Sequence, residues 1–554
     1  MALTLPDWAT RLIDLYASQT ATQFILYGNV NDRFVLPKGD DCTIGSLYDF
    51  LREVLMPRFD VILSYDLGNG IRIERGGDII SQWTGFKESP ELPRAPRPAA
   101  EFLTRYFRYC ANLKRLGQDA PQIGFVMKAA QLVAPSLPGS LNYDLNALAL
   151  LIRDWSCDDL LRQQHLVTWL VTDNLNDLHP LLANNLQAAA VQIPLPGTAD
   201  LEEALKLLAP RYPIAMAELG GNLPSFAQQL AGATLGSVEN MLKINNHEKE
   251  KIASSDLVIL KKQIVEKDAG GLIEFIESKR TLDDVHSQDK LKKWLRQDIA
   301  LWRMNDLQAM PMGYLICGPV GTGKTYMVEC LAGEAGIPVV KIKNFRDKWV
   351  GSTEGNLEKI FRLLEGLGRC FVFIDEADQA LGKRDSGSND AGLSGRIYSM
   401  FAEQMSNTDN RGRMIWVLAS SRPDLIEVDL KRPGRLDVKI PIFPTTTTAE
   451  SFALIRALAL RRGVSLAEGS IDELTPVIPL LLTPGAAEAI AVKVYRSTKT
   501  EGLSALEAVR RTLTGYQNPV PSDVMQFQIA LAAREASDGD FVPEMFRTTG
   551  SSKS

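Results

Sequence analysis

The stretch Gly318-Pro319-Val320-Gly321-Thr322-Gly323-Lys324-Thr325 constrains this chain more than any other. It follows an apolar run, Tyr314-Leu315-Ile316-Cys317, and opens a helix-compatible segment from Tyr326 to Ala335. In a strand, glycine loop and helix of that order, backbone N–H groups turn inward and cradle phosphate oxygens, helped by the helix N-terminus. In this pattern Lys324 reaches the β and γ phosphates and the Thr325 hydroxyl ligates Mg²⁺. The expected nucleotide contacts are therefore Gly318, Pro319, Val320, Gly321, Thr322, Gly323, Lys324, Thr325 and Tyr326. The spacing predicts an α/β fold of the phosphate-loop type, with a parallel sheet flanked by helices.

A second run supplies the complementary chemistry. Cys370-Phe371-Val372-Phe373-Ile374 is apolar throughout, as in a strand buried on both faces of a parallel sheet. It ends in Asp375-Glu376-Ala377-Asp378, and carboxylates at such a strand end lie where open α/β sheets bind ligands. Asp375 is suited to hold Mg²⁺ through water, and Glu376 to orient and deprotonate an attacking water.

The chain also contains a repeat. Residues paired with those 247 positions later match over some seventy residues, from Ile123 with Cys370 to Leu195 with Ile442. Trp169 falls on Trp416, Asp177-Leu178 on Asp424-Leu425, and Ile193-Pro194 on Ile440-Pro441. Apolar strands align easily, but shared Trp, Asp-Leu and Ile-Pro marks at one offset point to duplication. At that offset Asp375 becomes Lys128, Glu376 becomes Ala129, Arg432 becomes Asn185 and Arg435 becomes Ala188. The loop after Phe24-Ile25-Leu26-Tyr27, from Gly28 to Val35, has no closing lysine or Ser/Thr. The first copy is expected not to hydrolyse ATP, and Lys128 is its remaining candidate for pairing with a phosphate.

After Met414–Ala419 come Ser420-Ser421-Arg422-Pro423-Asp424 and then Arg432-Pro433-Gly434-Arg435-Leu436-Asp437. Here the sequence resembles the AAA family of ATPases. The resemblance implies that Arg432 and Arg435 are arginine fingers acting on ATP bound in a neighbouring subunit, and hence a homo-oligomer, a hexameric ring. It places Ser421 where the family usually carries a sensor Asn, a shorter reach that predicts slow turnover. It gives Trp349 and Val350 the place of an aromatic-hydrophobic-Gly pore loop gripping substrate polypeptide; the residues alone equally fit a buried Trp capping the next helix. Lys383 to Gly392 matches a second pore-side loop or a plain loop. The order of a degenerate AAA-like domain, a connector and one active module resembles the AAA proteins encoded in plastid genomes and cyanobacteria.

The expected organisation is a degenerate AAA-like α/β domain over 1–198, a helical lid and connector over 199–285, the large AAA domain over 286–447, an α-helical lid over 448–545 and a disordered tail over 546–554. Within it, Ser89 to Pro98 reads as an exposed proline-rich loop, and Leu257 to Ile264 and Leu272 to Ile276 as helices.

A net charge of −6 gives no bulk attraction to nucleic acid or anionic lipid, which speaks against a nucleic-acid motor or loader. Cys42, Cys110, Cys157, Cys317, Cys330 and Cys370 are scattered without a CxxC pair, as expected of reduced thiols in the cytoplasm. The start carries no signal-peptide pattern, and Ile478 to Val492 is interrupted by Pro479, Pro484 and Glu488, a poor membrane span. HExxH is absent, so no zinc protease motif accompanies the loop. The expected activity is ATP hydrolysis with Mg²⁺, driving protein remodelling or unfolding. The alternative is a nucleotide-gated scaffold with slow hydrolysis. The client is not legible in the sequence.

Overall fold

The structure is a computed structural model, and it describes residues 5–38, 41–88, 91–137, 142–217, 222–252, 257–276, 278, 280–286, 288–304, 306–343, 353–381 and 391–547. Trp349, Val350 and the stretch from Lys383 to Asp390 lie outside the described residues. The chain divides into two compact units, Met1–Ala269 with Glu354–Leu367, and Gly270–Thr353 with Gly368–Ser554.

The first unit is built on apolar runs too short for helices, buried on both sides except in the edge strand Ala188–Ile193. They form β1 (Gln23–Gly28), β4 (Val61–Asp66), β6 (Ile123–Met127), β7 (Leu166–Thr172) and β8 (Ala188–Ile193), with β2 (Arg33–Lys38) and β3 (Asp41–Ser46) as a separate hairpin. With β5 (Gly70–Arg75) the sheet order is β5-β4-β6-β7-β1-β8. All neighbours are parallel except the edge pair β4–β5. Because side chains alternate across a strand, Phe24 and Leu26 enter the core on one face with Val126 and Trp169, while Ile25 joins Phe125 and Trp155 on the other.

The second unit carries β9 (Ile273–Ile276), β10 (Gly313–Cys317), β11 (Val339–Ile342), β12 (Cys370–Ile374), β13 (Met414–Ser420) and β14 (Val438–Pro441), ordered β14-β10-β13-β12-β11-β9. Taken in chain order, β1, β4, β6, β7, β8 and β10, β11, β12, β13, β14 occupy the same places in their sheets. Duplication therefore extends to topology. It reaches single hydrogen bonds as well, since Gly28 N donates to Asp173 O (3.0 Å) and Gly318 N to Ser420 O (3.3 Å), acceptors that are themselves 247 residues apart. Ala129 and Glu376, paired by the same offset, are both left-handed (φ 50° and 47°), a conformation uncommon outside glycine.

Two expectations fail for local reasons. Residues 272–276 contain a strand, not a helix: Ile273 and Phe275 are buried in alternation while Glu274 faces out to Lys343 (3.4 Å), and β9 closes the sheet edge antiparallel to β11. The proline-rich stretch ends inside a helix, Pro96–Arg115, because proline at the first helical turn loses no hydrogen bond and is pre-set in φ.

Helices Thr198–Leu208, Leu223–Gln229 and Leu235–Glu248 form a satellite core in the first unit, and Thr448–Arg461, Pro484–Thr500 and Ala505–Thr514 one in the second. No described helix is long and apolar enough to cross a membrane.

In the first unit the loop after β1 runs into the β2–β3 hairpin, not into a helix. Its buried Asp32 carboxylate accepts from Leu235 N (2.9 Å) and Gly236 N (2.7 Å) at the start of Leu235–Glu248, and from Asn29 Nδ2 (2.9 Å). A carboxylate from the loop thus caps the first turn of that helix. Asp32→Ala leaves those buried N–H groups unpaired at about 1–3 kcal/mol each. Urea unfolding followed by tryptophan fluorescence is expected to show about 2–4 kcal/mol of lost stability.

Candidate active site

β10 is buried at every residue, and its last carbonyl, Cys317 O, accepts from Ile442 N (2.7 Å) as the chain turns into the glycine loop. A Cβ on Gly318 would lie 2.1 Å from Ile442 O, so only glycine permits that approach. Gly323, at φ 83°, ends the loop and precedes helix Lys324–Ala335, which starts two residues earlier than expected. The loop is stiffened internally by Thr322 Oγ1 donating to Pro319 O (2.8 Å). From outside, Val320 N donates to Gln528 Oε1 (3.1 Å) and Gly485 N to Gly321 O (3.0 Å).

Lys324 Nζ bends back over the loop and donates to Gly318 O (2.9 Å) and Pro319 O (3.0 Å). Burial pushes its ammonium below the ordinary lysine value, opposed by the charge of Asp375. Parallel pairing of β12 with β13, and of β13 with β10, carries Asp375 to the same sheet end. There Thr325 Oγ1 donates to Asp375 Oδ2 (3.2 Å). A hydroxyl and a carboxylate oxygen are the hard donors that Mg²⁺ takes alongside phosphate oxygens, so these residues fit that ion. Glu376 is exposed and sits in a left-handed turn directly after Asp375. Ser421 is half-buried just beyond β13.

Two contributors, Lys341 and Ser420, were not picked out in the sequence. Lys341 on β11 places Nζ 2.9 Å from Asp375 Oδ2, on the oxygen that Thr325 also meets. Its only signal was a charged residue inside the apolar run Val339-Val340-Lys341-Ile342. Ser420, fully buried at the end of β13, donates to Asp378 Oδ1 (2.5 Å) and accepts from Arg422 N (2.9 Å), tying the acidic turn to the neighbouring strand. Tyr326 carries Arg280 over its ring (4.7 Å) and accepts from Arg461 (3.2 Å). Tyr326, Arg280 and Arg461 line, with Gly321–Gly323, a cavity of about 760 Å³.

Arg432 pairs with Asp429 (3.0 Å) and keeps 60% of its side chain exposed. Arg435 is buried, donating to Asp429 O (3.0 Å) and its carboxylate, which Tyr398 also bonds (2.9 Å). Among the described residues, neither arginine has a partner in the phosphate loop. In the first unit, Asn185, at the Arg432 position, is buried on Ser156 Oγ (2.8 Å). Lys128, at the Asp375 position, lies 3.7 Å above the Tyr48 ring.

Residues 314–443 match the family described as "ATPase family associated with various cellular activities (AAA)", and residues 2–194 match "AAA+ chaperone, N-terminal Rossmann-like domain". Residues 314–443 thus carry an AAA domain. Its AAA region resembles an "ATP-dependent zinc metalloprotease FtsH" of Lancefieldella parvula, 28% identical over 240 residues, covering 42% of this chain and 35% of the relative. It resembles a "Cell division cycle protein 48 homolog" of Archaeoglobus fulgidus at 33% over 136 residues, covering 24% and 18%. It also resembles a "Peroxisomal ATPase PEX1" of Dictyostelium discoideum at 30% over 163 residues, covering 28% and 13%. The chain spans about a third or less of the length of these relatives.

Within this AAA site Lys341 neutralises the carboxylate expected to hold the metal. Lys341→Met is expected to raise Mn²⁺ affinity, read by electron paramagnetic resonance with nucleotide present, by roughly threefold to tenfold as a nearby positive charge is lost.

Proposed function

We propose that the protein is an oligomeric ATPase that hydrolyses ATP at its second module alone and uses the cycle to remodel or unfold a protein client. One observation carries the reading: Lys324, Thr325, Asp375 and Glu376 lie at one sheet end, while the first module has Lys128 and Ala129 in place of the two carboxylates and no closing lysine or Ser/Thr in its loop. Mg²⁺, when bound, supplies charge neutralisation across the β and γ phosphates. Lys324 exchanges its loop carbonyls for phosphate oxygens, Thr325 and Asp375 hold the ion, and Glu376 takes a proton from the attacking water. Arg432, exposed and paired with Asp429 alone among the described residues, is the better placed of the two arginines to enter a neighbouring subunit's site. Buried Arg435 orders Asp429 and through it the arginine segment.

The client reading draws on relatives whose names include a protease and peroxisomal ATPases, and on Trp349 and Val350 as the pore residues. The first module, locked by Asp32, serves as a non-hydrolysing platform. We assign the protein to the cytoplasm on its six free cysteines, four of them buried. The scaffold reading is favoured by Ser421, a hydroxyl in place of an amide.

Lys324→Ala is expected to abolish ATP binding and hydrolysis together. Residual turnover that survives in this variant would place activity in the first module. Glu376→Gln is expected to keep binding and lower the turnover number about 10²–10⁴-fold, in an assay of phosphate release. Equal slow turnover in wild type and Glu376→Gln would instead support the scaffold. Arg432→Ala is expected to cost about 10³–10⁵ in turnover while nucleotide affinity holds.

A further inference from the structure

Helix Ser522–Glu535 lies beyond the two matched regions, 2–194 and 314–443, and its sequence carries a conflict. Met525, Ile529 and Ala532 recur at helical spacing and are buried in one cluster with Cys317 and Phe443. Gln528 and Glu535 fall on that same stripe, seven residues and two turns apart, about 10 Å along the axis. Polar side chains on a buried face need hydrogen-bonding or charged partners. Both have them.

Gln528 Oε1 accepts from Val320 N (3.1 Å), so the middle of the helix is fixed to the phosphate loop. One position earlier, Phe527 carries Arg422, the residue directly after Ser421, over its ring (5.2 Å). At the last residue of the helix, Glu535 accepts from Lys431 Nζ (2.5 Å), and its second oxygen lies 3.5 Å from Lys439 Nζ on β14. Lys431 also donates to Pro423 O (2.9 Å). Its side chain keeps 8% of its surface exposed, against 60% for Arg432. Adjacent residues thus point opposite ways, Lys431 into the unit and Arg432 out of it. Arg432 and Arg435 both bond Asp429, inside their own segment, whereas Lys431 ties that segment to the helix.

We propose that Glu535, acting through Lys431, is a positioning residue for the arginine segment. Helix Ser522–Glu535 is then the strut that holds Arg432 at a set distance from its own subunit's phosphate loop. A ring of identical subunits joins each one to its two neighbours through two different surfaces, and it closes only if their separation is right. The phosphate loop belongs to one surface and Arg432 to the other. Loss of the Glu535 charge leaves Lys431 buried without that counter-ion, which destabilises the anchored position. The backbone from which Arg432 projects then shifts, and the site that suffers is the neighbour's, not the subunit's own. This inference rests on the reading of Arg432 as an arginine supplied to a neighbouring subunit.

The test asks which subunit's site is damaged. Full-length Glu535→Gln is expected to bind ATP with unchanged affinity by calorimetry. It is expected to release phosphate about tenfold more slowly, a fraction of the roughly 10³–10⁵ set for loss of the arginine itself. It is then mixed in equal amounts with Lys324→Ala, whose own loop is inactive but whose arginine segment is intact. Activity per Glu535→Gln subunit is expected to rise to about five times its value alone, because about half of its neighbours now offer a well-placed Arg432. Arg432→Ala mixed in the same way is the reference for such recovery. Lys431→Met, which keeps an apolar stem in the buried position, is expected to repeat the Glu535→Gln pattern and carries the test if Glu535→Gln does not fold. Unchanged turnover in both variants overturns the proposal. So does a loss of ATP affinity, or an absence of recovery where Arg432→Ala recovers; either would make Glu535 a support of its own subunit's site. If Arg432→Ala itself does not recover, the reading of a trans-acting arginine falls and takes this one with it.

Discussion

β10 lies between β13 and β14 in parallel register, Gly313 to Cys317 against Trp416 to Ser420 and Tyr314 to Cys317 against Val438 to Pro441. That placement fixes the second unit's chemistry. It sets the glycine loop at the carboxyl ends of the strands, one strand from Ser420 and two from Asp375. Gly313 and Gly318 both sit where a Cβ would collide with a neighbouring strand's carbonyl, so β10 is packed tightly at each end. The core beneath, from Tyr314, Ile316, Phe373 and Val417, excludes water from the sheet and leaves only the strand ends accessible.

The two modules share backbone features at places where their side chains differ. Ala129 keeps the left-handed turn that presents Glu376 in the other copy, although an alanine there has nothing to present. Such a conformation is strained for a side-chain-bearing residue, and here it joins the end of β6 to the short helix Ala130–Val133. The charges are exchanged. Where Lys341 faces Asp375 in the second unit, Ser64 holds Glu74 (2.7 Å) in the first, and Lys128 rests on an aromatic ring. A phosphate that reached the first loop would meet Asp32. Lys128 itself rests on the Tyr48 ring.

The readable parts of the sequence were those with a short-range physical signature. Glycine spacing announced the loop, unbroken apolar runs announced the buried parallel strands, and the constant offset announced the repeat. Where pattern and length conflicted, the reading failed. Ile273-Glu274-Phe275-Ile276 alternates like a strand but sits among helix-forming segments, and only the free edge of β11 decides its state. Lys341 and Ser420 were missed because their roles come from pairing across strands, which no local spacing encodes.

The sequence by itself determined that the chain holds a nucleotide loop, an acidic strand end and a second copy lacking both, because those depend on residue type at fixed separations. Tertiary structure alone decided which groups share an oxygen of Asp375, that Arg435 is buried while Arg432 is exposed, and that helix Ser522–Glu535 returns to the phosphate loop. Each of these brings together residues tens to hundreds of positions apart. Their meeting is set by strand register and core packing, and neither can be read from any one stretch of the chain.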